Sequence, residues 1–173
     1  MLTDGVVMLG PWAVSDAEWL CATCQDPEIQ RWTLVPSPYR LDHAREFVEV
    51  IAPGAWAAAS GVHLAITDAD SSVPLGAIGM TVLDAVSGVA ELGYYLAPEA
   101  RGAGAATRAL ELFGSWAIDV LDLVRLELHV FAGNTASASV AGRCGFQLEG
   151  TMRQRELRHG TRHDVDLFAR LRA

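Results

Sequence analysis

Lysine does not occur anywhere in the 173 residues; all thirteen basic side chains are arginines. That absence removes the nucleoside-triphosphate loop, whose lysine must reach the terminal phosphates. Cysteine is scarce too, at three residues, an odd count that suits a reducing compartment better than a disulfide framework. Cys21 and Cys24 form a lone Cys-x-x-Cys in a helical stretch. With no second pair and no nearby histidine a zinc site lacks its ligands, so they read as two small packed side chains and no metal is expected. Cys144, ahead of a Gly-Phe turn, reads as core. The longest apolar run, near Val50 to Ile66, is broken by Pro53, Gly54, Ser60, Gly61 and His63, whereas a bilayer span needs about 20 mostly apolar residues. The first residues, Met1-Leu2-Thr3-Asp4-Gly5, bring no basic n-region of a secretory signal. The expectation is a cytoplasmic protein forming one domain over residues 1–173.

Positive charge is outweighed overall, with a formal net charge of −8. Residues 1–143 carry 17 acids against 7 arginines, while residues 144–173 carry 4 acids against 6 arginines. An acidic body argues against nucleic acid as a partner and would draw cationic substrates. The basic tail could meet an acidic polypeptide or cofactor phosphates; a solvated surface with no steering role is the other reading.

The most informative stretch runs from Glu91 to Thr107. A strand-like segment, Glu91 to Leu96, ends at Pro98, and Arg101-Gly102-Ala103-Gly104-Ala105-Ala106-Thr107 comes next. An amphipathic helix continues, with Ala106, Leu110, Phe113, Ala117 and Val120 on one face. A strand, a loop almost without side chains and a helix start make an anion cradle of backbone N–H groups at the positive end of the helix dipole. A dinucleotide fingerprint needs a third glycine where Thr107 stands. An ordinary tight turn capping a helix is the alternative.

Residues beyond this helix add to the loop. Asn134-Thr135-Ala136-Ser137 lies past an alternating run, Leu126 to Phe131, and a small-residue helix ends at Cys144-Gly145-Phe146. Leu148-Glu149-Gly150, Met152 to Glu156, Gly160, His163-Asp164-Val165 and Phe168-Ala169-Arg170 complete the series. Over nearly its whole length, and most closely from Glu91 onward, the chain resembles the GNAT superfamily of N-acetyltransferases, in particular its RimJ/RimL branch. That branch acetylates protein N-termini and, in some members, small amines.

The rest of the pattern is coarse. Val6 to Leu9 reads as a first strand. Ser15 or Asp16 caps a helix through Trp19-Leu20, with Glu18 at capping-box spacing. Leu41-Asp42 opens a second helix, with Ala44, Phe47, Val48 and Ile51 on one side and a stop near Pro53-Gly54. His63 to Thr67 and Leu75 to Val82 are neighbouring strands, and the last two strands run near Gln147 to Leu157 and Arg162 to Arg170, joined through His159-Gly160. The expected fold is α+β: a mixed, mostly antiparallel sheet of six to seven strands flanked by helices. Arg31 to Tyr39, with aromatics and two prolines, reads as a rigid connector or a preordered wall; in the resembled family this region borders the acceptor groove.

The resemblance also implies a site. Acetyl-CoA is the donor, gripped by residues 101–107, with Tyr95 and Leu96 pairing its pantetheine arm through their backbone and Asn134 touching the cofactor while capping its helix. The superfamily's usual proton-donating tyrosine would fall at Ala141, so Ser137 is the hydroxyl left for the departing thiolate; a local backbone bond is its other reading. Glu156 matches the branch's glutamate as proton acceptor, with Glu91 or water as rivals. If residues 153–159 are extended, Glu156 faces away from Arg155. His129 lies near the reacting centre and titrates near neutrality, though a packed strand histidine is the stronger reading. The acceptor is an amine, on a protein N-terminus or a small molecule such as a cationic antibiotic. A non-catalytic acyl-CoA-binding module is the competing class, against which the presence of both Ser137 and Glu156 counts. A homodimer through the C-terminal strands is compatible with either.

Overall fold

The computed structural model describes residues 1–158 and 160–172; His159, expected in the last turn, lies outside them. One sheet draws strands from both ends of the chain: β1 (Leu2–Thr3), β2 (Val7–Gly10), β3 (Gly61–Asp68), β4 (Pro74–Asp84), β5 (Val89–Leu96), β6 (Arg125–Phe131), β7 (Gln147–Arg158) and β8 (Thr161–Leu171). Their order is β1-β2-β3-β4-β5-β6-β8-β7. Every neighbouring pair is antiparallel except β5 and β6, which are parallel. The sheet thus has eight strands rather than six to seven. The addition is β1, whose two residues are too short to display the period-two pattern by which a strand is read.

Two helical layers cover the sheet. α1 (Ala17–Thr23), α2 (Pro27–Trp32), α3 (Leu41–Glu46) and α4 (Ala52–Ala57) come before β3; α5 (Ala105–Asp119) and α6 (Thr135–Arg143) bracket β6. Parallel strands cannot be joined by a tight turn, and α5 supplies the long crossover from β5 to β6. Alternation along β5 separates the layers. Leu92 and Leu96 point into the larger core, where Leu110 and Phe113 of α5 meet Ile66, Ile78 and Leu126. Tyr95 points to the opposite face, against Leu20, Cys24, Tyr39 and Ala44 of the N-terminal helices. Burying a side chain such as Phe113 stabilises the fold by about 1.5–3 kcal/mol.

Several local expectations are corrected. Val120, expected on the buried face of α5, is the helix's C-cap and is exposed; Ile118 turns inward instead. Asp16 reaches back to accept from the Ala13 N–H at 2.8 Å, and Ser15 makes no cap. Arg31 and Trp32, expected in the connector, belong instead to α2 over residues 27–32, started by Asp26, whose Oδ1 accepts from the Ile29 N–H at 3.0 Å, with Pro27 at the first helical position. The second predicted helix does not stop at Pro53-Gly54. A π turn over Phe47–Ile51 shifts its ladder, the Ala52 N–H reaching the Phe47 carbonyl, and Pro53 then sits in the first turn of α4, where its missing N–H costs little.

The feature that positions the site lies between β5 and β6. They pair only from Val89 opposite Arg125 to Leu92 opposite Leu128. Beyond that point β5 stays with β4 out to Leu96, and β6 stays with β8 out to Phe131. The sheet therefore opens like a V, and the backbone edges of residues 93–96 and 129–131 face each other without a strand between them.

Candidate active site

A cavity of about 1170 Å³ fills the V. At one end is the turn from β5 into α5. Gly102 and Gly104 adopt left-handed φ of +81° and +84°, and a Cβ built on either would enter open space. The first bond into the helix is from the Arg108 N–H to the Gly104 carbonyl, 3.1 Å. From Gly102 to Thr107, no N–H meets an acceptor among the described residues. Six donors at the positive end of a fifteen-residue helix fit a diphosphate. Gly102, Gly104, Ala106 and Thr107 line the cavity; Ala103 is exposed outside it and Ala105 turns into the core. Arg101 also lines it, but its guanidinium is engaged: it donates to the Leu96 carbonyl at 3.3 and 3.1 Å and pairs with Asp26, tying the loop to the start of α2. Arg143, which the motifs did not bring forward, donates to the Thr107 hydroxyl at 3.2 Å and adds a second cation at this end.

Tyr95 and Leu96 lie in the half of β5 that has lost β6, and both line the cavity. Asn134 precedes α6, and its Oδ1 accepts the Ser137 N–H at 3.1 Å. The local backbone bond considered for the Ser137 hydroxyl is not formed. The hydroxyl lies 3.0 Å from the Tyr94 phenol oxygen instead, which also approaches the Ser137 carbonyl at 3.4 Å. Burial pushes the Tyr94 phenol up to about 12, against the opposing effect of the Ser137 hydrogen bond. Ala141, where the superfamily's usual tyrosine would fall, is buried in the core, and Tyr94 stands beside Ser137 instead. Alternation along β5 puts Tyr94 on the same face as Leu92 and Leu96, beneath α6, and that periodicity was the available signal.

Carboxylates and aromatics also line the cavity: Trp32, Leu34, Val35 and Tyr39, and Glu28, Glu91 and Glu156. Glu156 does not follow simple alternation. Between Met152 opposite Val165 and Glu156 opposite His163, three residues of β7 stand against one of β8, and Gln154 takes φ +54°. The bulge leaves Glu156 within 3.2 Å of the Arg155 guanidinium rather than facing away from it. His129 is clamped, Nδ1 at 3.2 Å from Glu91 and Nε2 at 3.2 Å from Glu127. The Glu91 hydrogen bond, ahead of the opposing effect of burial and with help from Glu127, raises its pKa above the imidazole range. Glu127 in turn pairs with Arg125, which holds Glu149 through two bonds. Cys24 is buried, 3.5 Å from the Tyr95 hydroxyl, and Cys21 is half-buried. Among the described residues no helix is long and apolar enough to cross a membrane.

A sheet opened between the parallel strands β5 and β6, with an amide cradle at one end and a hydroxyl and carboxylates along the same cavity, defines a transferase that handles an acyl thioester. The chain belongs to the GNAT acetyltransferase family: the model described as the acetyltransferase (GNAT) domain matches residues 7–147. The activity of that family is acetyl-CoA-dependent transfer of an acetyl group to an amine. The chain is 28% identical over 160 residues to the uncharacterized N-acetyltransferase p20 of Bacillus licheniformis, covering 92% of this chain and 89% of that one. It is 31% identical over 97 residues to the ribosomal-protein-serine acetyltransferase of Escherichia coli, covering 56% and 54%. Its fold matches a solved RimL ribosomal L7/L12 α-N-protein acetyltransferase in complex with coenzyme A, with TM-score 0.88, 21% identity and coverage of 99% and 96%. The RimJ/RimL resemblance of the motifs thus agrees with these relatives.

Proposed function

We propose that this chain acetylates a cationic primary amine by direct attack on acetyl-CoA in a ternary complex, with Glu156 accepting the amine proton and Ser137 protonating the departing thiolate. The observation that carries the reading is that Gly102, Gly104, Ala106 and Thr107 with their unpartnered amides, Ser137 and Glu156 all border one cavity at the opened strands. The amides and Arg143 hold the phosphates, with Asn134 beside them. Tyr95 and Leu96 offer their unpaired backbone to the pantetheine arm as a neighbouring strand would. One of those N–H groups facing the thioester oxygen is worth roughly 3–4 kcal/mol to the transition state. Holding donor and amine together supplies several kcal/mol more.

Both signs of charge line the cavity: Arg101 and Arg143 with the cradle, and the carboxylates Glu28, Glu91 and Glu156. Arg101 is paired with Asp26, whereas the carboxylates would draw an ammonium group. Two acceptors carry such a group. The similarity to a ribosomal-protein-serine acetyltransferase supports a protein N-terminus, while the acidic body and the carboxylates support a small cationic molecule. Assaying thiol release with a ribosomal-protein N-terminal peptide and a panel of amine antibiotics separates them. With whichever acceptor is used, Ser137→Ala and Glu156→Gln are expected each to lower kcat by about a hundredfold, the usual range for a proton-transfer group, leaving acetyl-CoA affinity nearly intact. Equal losses in kcat and affinity would make either residue structural. A single-domain protein over residues 1–173 and a homodimer through the exposed edge strand β7 are part of the same reading; Leu148 and Leu157 are apolar and exposed there, and sedimentation tests the dimer.

A further inference from the structure

We infer that Tyr94 is a positioning residue for the acyl transfer: its phenol donates to Ser137 Oγ and so aims the Ser137 hydroxyl proton into the cavity. The 3.0 Å separation allows either direction, and the role of Ser137 as proton donor selects one. A serine hydroxyl has one proton and two acceptor sites. The Ser137 N–H is already satisfied by Asn134, so Asn134 fixes the backbone of α6 but leaves the hydroxyl free to rotate. The Tyr94 oxygen stands 3.0 Å from Ser137 Oγ and 3.4 Å from the Ser137 carbonyl. If Ser137 donated to Tyr94, its only proton would be used inside the pair and nothing would be left for the leaving group. If Tyr94 donates to Ser137, that proton is directed away from the phenol, to the side where both residues line the cavity.

Tyr94 does not itself deliver a proton. Its one proton is held in the bond to Ser137 Oγ, 3.0 Å away. The balanced step uses one proton only. The C–S bond breaks with its electron pair on sulfur, the Ser137 hydroxyl proton passes to that sulfur, and Ser137 Oγ recovers a proton from solvent through the open cavity. Throughout, Tyr94 keeps its proton and lends a hydrogen bond to the oxygen on which negative charge grows. Such a bond to a charged acceptor is roughly twice as strong as one between neutral partners, so it is worth more as the bond breaks than before.

This inference rests on the reading of Ser137 given above, and a double-mutant cycle separates the two. Tyr94→Phe keeps the ring and removes only the hydroxyl. The expected result is a fall in kcat of about tenfold, the size of one lost hydrogen bond of about 1.4 kcal/mol. The acetyl-CoA dissociation constant should change by less than about twofold. In a Ser137→Ala background the same replacement should cost nothing further, because the phenol then has no hydroxyl to aim. Full turnover in Tyr94→Phe, or the same tenfold loss with and without Ser137, overturns the positioning role. Full turnover in Ser137→Ala alone overturns the reading of Ser137 first, and the inference with it.

Discussion

His129 is where a single side chain couples the sheet to pH. The Glu91 hydrogen bond, helped by Glu127 and opposed by burial, raises its folded pKa above the usual imidazole value of 6.5. A group whose pKa is higher in the folded than in the unfolded state stabilises the fold fully below the unfolded value and stops doing so as pH rises through the folded one. The stability that His129 contributes should thus be complete below pH 6.5 and fade above it. Denaturant midpoints of the protein and of His129→Asn, compared from about pH 6 to 9, are expected to differ most at the acid end and converge at the alkaline end. A gap of constant size would mean that His129 packs without changing its charge. Glu91 and Glu127 are directly opposed in the parallel pairing of β5 and β6, and like charges so placed repel. The imidazolium between them relieves that repulsion. The sequence presented Glu91, Glu127 and His129 individually, and the alternation of residues 126–131 put Glu127 and His129 on one face. What it could not express was that Glu91, 36 positions earlier in the numbering, comes alongside, because no local period encodes which strands become neighbours.

Asp26 shows the same limit for an element. Asp26-Pro27 is the start of the six-residue α2, an element absent from the reading of the sequence. Six residues span less than two turns and leave no apolar period to detect, and the prolines at 36 and 38 made the whole neighbourhood resemble a connector. The fifteen residues of α5 and the alternating runs of β3 to β6 were legible for the opposite reason: they are long enough to repeat their period. The tie from Asp26 to Arg101 crosses 75 positions and has no sequence signature at all. It joins three pieces of the site, since Asp26 caps α2 while Arg101 holds the end of β5 and opens the cradle. Two replacements divide these roles. Asp26→Asn keeps a capping oxygen and removes the charge; Asp26→Ala removes both. Only the alanine variant should lose the cap's contribution of about 1 kcal/mol in unfolding experiments. Both should weaken acetyl-CoA binding several-fold by calorimetry, because each releases Arg101. Undiminished binding in both would confine Asp26 to α2.

In the molecule as a whole, the V between β5 and β6 is a site obtained by leaving sheet hydrogen bonds unmade. A continuous sheet would pair residues 93–96 with residues 129–131; here the two halves of the protein meet across a cavity, held together below it by Val89–Leu92 and Arg125–Leu128. A donor lying in the gap would contact the free edge of β5, the amides at the start of α5 and the start of α6, and so would join what the open strands leave apart. Binding to the folded state alone then appears as stability. Coenzyme A at a hundred times its dissociation constant should stabilise the fold by about 2.7 kcal/mol. For a chain of this size that corresponds to a rise in Tm of roughly 5–11 °C. Gly104→Val tests where the energy enters. Its branched side chain would occupy the open space next to the cradle, and its left-handed φ of +84° is one that valine resists. The expected outcome is an increase of at least about tenfold in the dissociation constant, equivalent to losing about 1.4 kcal/mol of binding. At the original coenzyme A concentration, about half of the ligand-induced rise in Tm should then disappear. Because strain could lower the Tm of the free variant by itself, the quantity to compare is the shift on adding ligand, and a shift equal to that of the unaltered protein would remove the amides of residues 102–107 from the binding site.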